Sequence, residues 1–286
     1  MQPTTVTFPS GALTEETTVA DVRPHAGGSV VILQQTPFHP VDHTWPDQPG
    51  DTGTLTADGT TVRVANTVMV AIDDAGVLAV GEEIPVKRGA DGWGWHVGHL
   101  VAEPVTWGAG TTVQATVDGT LRAGLSRGHT ACHLASLALD AALAELWHKD
   151  PGIDPLGSPN FEARAGASSQ IHPDGSVDTY RLGKSLRKAG FRPDDLAASL
   201  AQREAQINDL LAAWVASSGR SWIEVEGDTI ADRRTWHCAL PAGEAHFLCG
   251  GTHVDSLDAF ASITVALDLS DPQLLVMTTT VVPSDH

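Results

Sequence analysis

Positive charge is scarce in this sequence. Its 286 residues carry 17 Lys and Arg against 35 Asp and Glu, a formal net charge of −18 at pH 7. Only four of the basic residues are lysines: Lys87, Lys149, Lys184 and Lys188. A generic nucleic-acid coat needs a basic surface that displaces counterions from phosphates, so that class is excluded. A nucleic-acid substrate held by a local patch is not. Cysteine is sparse too: Cys132, Cys238 and Cys249 are too few, and odd in number, for a disulfide framework. No run approaches the roughly 18 apolar residues of a membrane span. Residues 1–16 show neither the basic start nor the apolar core of a secretory signal. These absences predict a soluble, cytoplasmic protein. A phosphate loop is missing as well, because Gly183-Lys184-Ser185 has Asp178 where the first glycine belongs. The chain is therefore not expected to activate a substrate with ATP. Against all this, 42% hydrophobic residues place it among folded globular chains rather than disordered ones.

The first 120 residues read as strands broken by turns. Residues 30–33 (Val-Val-Ile-Leu) form a short apolar run, 61–72 are rich in β-branched residues, and 111–118 alternate with Val113, Ala115 and Val117 on one face. Asp58-Gly59, Asp91-Gly92 and Asp118-Gly119 are turn dipeptides. A β-barrel-like N-terminal domain over residues 1–120 is the economical reading. The texture then changes. Residues 126–147 space Leu134, Leu137, Ala138, Ala141 and Leu146 as a helix does, without Pro. A Gly/Pro/Ser-rich stretch at 151–169 precedes a strand at 177–182. A second long helix spans 193–217, with Pro193 in its first turn and Gly219 past its end. Strands follow at 221–225, 236–240, 260–267 and 274–282. Residues 121–286 are thus expected to form an α+β domain, two long helices packed on a mainly antiparallel sheet.

Four potential metal ligands come in two pairs of equal spacing. His129 and His133, at i and i+4 of the first long helix, project from one face. Cys249 and His253 flank Gly250-Gly251-Thr252, where two glycines permit a tight turn. A thiolate with imidazoles suits Zn²⁺ in a tetrahedral site. His129-Thr-Ala-Cys-His133 lacks the glutamate of the HExxH metalloproteases, which disfavours a peptidase. Cys132, turned away from His133 on the helix, reads as a small buried residue, and Cys238 as strand core.

These two motifs, His129-Thr-Ala-Cys-His133-Leu and Cys249-Gly-Gly-Thr-His253-Val, resemble the editing domain shared by alanyl- and threonyl-tRNA synthetases, whose free-standing members are the AlaX-type alanyl-tRNA editing proteins. Upstream, Thr36-Pro-Phe-His-Pro40 and Gln48-Pro-Gly-Asp-Thr-Gly53 look like the family's Phe-Tyr-Pro and Gly-Gly-Gln-Pro-x-Asp-Thr-Gly segments, and Val117-Asp118 and Ser169-Gln170-Ile171 also fit. The similarity runs from about residue 29 to 265. It implies trans-editing for translation fidelity: hydrolysis of the ester joining a wrong amino acid to the 3′ ribose of a tRNA. The four ligands carry over as His129, His133, Cys249 and His253, holding zinc that polarises the ester, activates a bound water or orients the ribose. Four closed protein ligands look structural rather than catalytic unless one is weak or the site expands.

The resemblance also assigns Phe38, His39, Gln48 and Thr252 to substrate binding. One departure bears on selectivity. Where the family has a glycine-rich turn, this chain has Val41-Asp-His-Thr-Trp-Pro-Asp47, about three residues longer. That loop, with Phe38, Trp45, His39, His43, Thr44 and Gln48, is expected to favour serine, glycine or a threonine analogue such as fluorothreonine over alanine. Contacts to the aminoacylated tRNA are expected from Arg181, Lys184, Arg187 and Lys188 near Arg192, with Arg122 and Arg127 as a second group. Trp93, Trp95, His96 and His99 suggest a packed hairpin corner more than a base-stacking surface. Two other functions remain open: a zinc-stabilised tRNA-binding module without hydrolysis, and a hydrolase of the same fold acting on a small acyl ester.

Overall fold

A computed structural model describes residues 1–285 of the chain. Contacts divide it into two units. The first comprises Met1–Arg122, Ile223–Arg234 and Cys249–Thr252, the second Ala123–Trp222, Thr235–Leu248 and His253–His286.

In the first unit, seven strands form one sheet: β1 (Thr14–His25), β2 (Gly28–Leu33), β3 (Gly53–Ala57), β4 (Thr60–Asp73), β5 (Leu78–Val80), β6 (Trp93–Val101) and β7 (Thr112–Val117). Every pairing is antiparallel, in the order β3-β7-β1-β2-β6-β4-β5, and β3 also pairs with β4. Pairing therefore runs in a cycle through six of the strands. Strand β2 is buried on both faces: Val31 and Leu33 join one apolar cluster with Leu55 and Val113, while Val30 and Ile32 join another with Val68 and Val70. That is why residues 30–33 are continuously apolar rather than alternating. Strand β7 alternates, with Val113, Ala115 and Val117 buried as expected.

Turn chemistry is followed at two of the three dipeptides. Asp58 and Gly59 both have positive φ, 50° and 73°, the two-residue turn that matches strand twist between β3 and β4. Gly92, at φ 78°, makes the second turn. Asp118-Gly119 does something else. The Asp118 carboxylate accepts from the backbone N–H of Thr120 and Leu121, both at 3.1 Å, and so caps helix α1 (Gly119–Ala142). The helix consequently begins seven residues before the expected 126 and ends at 142 rather than 147.

The second unit contains most of α1, α2 (Glu162–Ala165), β8 (Gly166–His172), β9 (Gly175–Arg181), α3 (Lys184–Ala189) and α4 (Pro193–Ala216). After them come β10 (Ser221–Val225), whose last three residues belong to the first unit, β11 (Arg234–Leu240), β12 (Gly243–Leu248), β13 (Phe260–Asp268) and β14 (Leu274–Pro283). Two sheets result, β8-β9-β14-β13 and β10-β11-β12. Strands 166–172 and 243–248 escape a reading of hydrophobic periodicity because each offers so few apolar side chains: Ile171 in the former, Ala245 and Phe247 on one face of the latter. Helix α4 covers the edge strand β13 and satisfies its open backbone. Asn208 accepts from Val265 N–H at 2.8 Å and donates to its carbonyl at 3.0 Å, and Glu204 accepts from Leu267 N–H at 2.7 Å. Helix α1 approaches the β8–β9 hairpin at Gly128, where a Cβ would stand 2.4 Å from the His172 carbonyl oxygen. The chain is thus mixed α and β with largely antiparallel sheets, and no described helix is long and apolar enough to cross a membrane.

The segment expected as a hairpin corner is strand β6. Trp95 and His96 are buried, and His99 is wholly so, its Nδ1 2.8 Å from the Val31 carbonyl and its Nε2 2.8 Å from the Thr36 hydroxyl. Burial lowers its pKa from 6.5 to about 4. The unfolded chain therefore binds a proton that the folded one refuses, so this stability is full above pH 6.5 and is lost as the pH falls toward 4. The loss is on the order of 2–3 kcal/mol. Denaturant titrations at pH 7, 5.5 and 4.5 should show a shallower decline for His99→Gln than for wild type. Parallel declines would mean that His99 is not the titrating group.

Candidate metal centre

Once Asp118 sets the start of α1, eleven residues, about three turns, bring the chain to His129. The rings of His129 and His133 then lie on one face, with centroids 4.8 Å apart. His253 faces both, 4.4 Å from His129 and 5.2 Å from His133. Thr130, inside the same helical motif, holds this third histidine: its hydroxyl is 3.2 Å from His253 Nδ1 and accepts from Val254 N–H at 3.2 Å. A proton on Nδ1, donated to Thr130, makes Nε2 the basic nitrogen, an outer partner of the kind that fixes metal-binding imidazoles. Cys249 supplies the sulfur. One donor atom each from His129, His133, Cys249 and His253 fall within 4.8 Å of one another, a group that can hold a metal ion.

The electrostatics agree with that use. His133 Nε2 is buried without a hydrogen-bond partner, and burial lowers the pKa of the ring to about 4, the neutral form a cation requires. Trp236 and Phe247, on facing positions of β11 and β12, lie 4.9 and 5.0 Å from the same ring and limit its rotation. Trp236 is itself fixed by donating from Nε1 to Ser221 at 2.8 Å. Burial, with the Asp47 carboxylate adding to it, pushes the Cys249 thiol up to about 12. A thiol so disfavoured as an anion needs a cation to become a ligand, and a bound divalent ion deprotonates it. Three nitrogens and one sulfur match the donor set of zinc.

Of the residues expected at the substrate, three lie in or against the segment 249–252. The Gln48 side chain brackets Thr252, donating to its hydroxyl at 2.9 Å and accepting from its N–H at 3.0 Å. His39 is buried, donates its backbone N–H to the Asp51 carboxylate and makes a ring hydrogen bond with the Gly250 backbone. Burial first, then the charges of Arg122, Arg234 and Arg88, lower its pKa to about 3, so it is neutral. The Phe38 ring is fully buried in the cluster with Leu33, Leu55 and Val113 and packs edge-on against His99, 5.0 Å away. Arg122 is buried too. Its guanidinium, 5% exposed, pairs with Asp51 and donates to the Pro37 carbonyl at 2.8 Å, an interior role that a phosphate contact would break.

Arg127 is half-buried against Asp174 at 2.5 Å. Arg181, Lys184, Arg187 and Lys188 are exposed, at the end of β9 and on α3, with Arg187 paired to Asp194 at 3.1 Å. Arg192 pairs with Asp195 at 3.3 Å. Cys132 is buried beside Asp178, and Cys238 is strand core, as read. Reading the sequence overlooks Thr130, Trp236 and Phe247. Thr130 could have been found from its place inside the His129–His133 spacing, the aromatics from the alternation of β11 and β12.

The chain is 27% identical over 231 residues to the alanine–tRNA ligase of Acidovorax sp. (strain JS42). The match takes in 80% of this chain but spans only 22% of the length of that relative. No family model matches. The similarity supports a fold related to part of an alanine–tRNA ligase.

The donor set predicts one zinc per chain. Elemental analysis should find about one equivalent in wild type and less than a tenth of that in His133→Ala and Cys249→Ala. Full zinc in both variants would place the metal elsewhere.

Proposed function

We propose that the chain is a zinc-dependent aminoacyl-tRNA deacylase acting in trans, an editing protein of the AlaX type. The observation that carries this is the convergence of His129, His133, Cys249 and His253 from two motifs, in a chain similar over most of its length to an alanine–tRNA ligase. In this reading residues 1–120 are a barrel-like domain, 121–286 the editing domain, and the aminoacylated tRNA is the partner. Zinc at the four donors would supply Lewis acidity toward the ester and a lowered pKa for water.

The chain's own residues do the rest. Gln48 locks Thr252 through both its N–H and hydroxyl, and His39 ties down Gly250, so the segment between Cys249 and His253 is held rigid beside the donors. Gln48 and Thr252 are the polar groups best placed to distinguish a hydroxyl-bearing acyl group, since a missing partner for a buried polar group discriminates far more than a lost methylene does. The rejected amino acids of this reading are serine, glycine or a threonine analogue such as fluorothreonine, of which serine and the threonine analogue carry such a hydroxyl. The exposed strip Arg181, Lys184, Arg187 and Lys188 contacts the tRNA backbone. One observation favours a second reading: four protein donors close a tetrahedral site, the pattern of structural zinc, which suits a tRNA-binding module without hydrolysis.

A panel of seryl-, glycyl-, alanyl- and threonyl-tRNAs separates these readings. Chelator-sensitive release of at least one amino acid is expected, and Gln48→Ala should lower kcat/KM on the preferred ester by about 10- to 100-fold while narrowing the preference. Saturable tRNA binding with no release leaves the binding module. Release from small acyl esters with tRNA esters untouched indicates the third function.

A further inference from the structure

The extra loop of residues 41–47 is fastened at its base and exposed at its tip. Asp42 is the fastening. Its Oδ1 accepts from Thr44 N–H at 2.7 Å, the Thr44 hydroxyl at 2.6 Å and Trp45 N–H at 3.3 Å, which fixes the turn. Its other oxygen takes the guanidinium of Arg88. His43 closes the base from the other side: its Nε2 is 3.0 Å from the Val86 carbonyl, and its ring stacks on Trp95 with centroids 5.5 Å apart. At the tip, Trp45 is 50% exposed, although its neighbour His43 is buried. A large aromatic held out by so many bonds is preorganised for a partner, because little side-chain or loop entropy is left to lose.

Two contacts connect this loop with the segment that supplies Cys249. Gln48, three residues after Trp45, brackets Thr252. Arg88 Nη1 lies 3.8 Å from where a Cβ on Gly250 would stand. Behind it, Arg234 is 4% exposed with its Nε unpartnered, close enough to Arg88 to feel its charge. Arg88, although paired with Asp42, thus stands near a second, buried guanidinium, which leaves positive charge beside Gly250 and favours an anion there.

We propose that Trp45 and Arg88 receive the 3′-terminal nucleotide of the tRNA, Trp45 stacking on its base and Arg88 pairing with its phosphodiester. An exposed aromatic beside a cation is the pattern that holds single-stranded nucleic acid. The cation is set against Gly250 and the aromatic stands three residues before Gln48, so both lie on segments that flank the metal donors. This rests on the deacylase reading and extends it with a binding site for the end of the substrate.

The test uses an uncharged acceptor-stem RNA with 2-aminopurine as its 3′-terminal base, titrated into the zinc-loaded full chain. Wild type should bind and quench the probe. Trp45→Ala should abolish most of the quench and weaken binding about tenfold, Trp45→Phe should restore most of both, and Arg88→Met should reduce the slope of log K against log salt by about 0.7. Unchanged zinc content shows that the variants are folded. Wild-type quench and affinity in Trp45→Ala overturn the proposal while leaving the deacylase reading intact. No saturable binding by wild type defeats that reading and the proposal together. A wild-type dimer that Trp45→Ala dissociates, by sedimentation, would assign the tryptophan to a second copy of the chain and overturn the proposal.

Discussion

Much of the site depends on one buried carboxylate. Asp51 accepts from His39 N–H and from Arg122, which also reaches the Pro37 carbonyl. Arg122 lies in the first turn of α1, and His39 is hydrogen-bonded to the Gly250 backbone, beside Cys249. A single carboxylate thus ties the start of the helix that carries His129 and His133 to the brace on the Gly-Gly turn. Such a pair adds little stability beyond what well-packed apolar residues would give, yet removing one partner strands a charge at a cost of about 3–5 kcal/mol. Its value here is positional.

The ligands were legible in the sequence because metal chemistry constrains residue type and spacing together: imidazoles at i and i+4, and a thiol and imidazole flanking two glycines. The surroundings were less so. Phe38 sits within a motif that resembles a substrate-binding segment, but its neighbours in space, such as Leu55 and Val113, come from distant strands that no local pattern reveals. The burial of Arg122 was hidden for a related reason: a basic residue near the start of a helix suggests solvent until Asp51, far off in sequence, is found against it. Asp118-Gly119 has the composition of a turn and of a helix cap alike, and only the apolar helix after it decides between them. Strand β6 was hidden by its histidines. Buried neutral imidazole behaves as core, yet counts as polar in any hydropathy pattern.

Buried histidines and buried carboxyls respond to acid in opposite ways. In the first, burial depresses His39, His96 and His99 to about 3, 4 and 4. Their contribution is complete above pH 6.5 and falls away in acid. In the second, burial raises Asp140 to about 8 and Glu162 to about 7. Their folded forms hold protons that the unfolded chain releases, so this contribution is present below the ordinary carboxylate range and is lost as the pH rises through 7 to 8. Asp140 accepts the N–H groups of Phe161 and Glu162, at 2.8 and 2.9 Å, which lowers the shift without cancelling it. The pH range between the two sets of titrations is the one in which both kinds of buried group stay neutral in the folded chain.

Scarce positive charge has a further consequence for any RNA partner. Several arginines are spent inside the protein on backbone carbonyls: Arg122 on Pro37, Arg203 on Ala142 at 3.0 Å, and Arg234 on Thr229 at 2.7 Å. A guanidinium can serve a carbonyl in this way because it is planar, weakly hydrated and always charged, whereas lysine cannot do so as cheaply. The exposed cations are thereby reduced below the already small total, and the densest group of them falls within Arg181, Lys184, Arg187 and Lys188. A polyanion approaching a surface of net charge −18 is repelled everywhere except at such points. Recognition under that constraint has to rest on a few directed contacts rather than on a general attraction. For such a partner an acidic surface would serve selectivity: it would weaken the sequence-independent part of binding and leave the discriminating part to the groups beside His129, His133, Cys249 and His253.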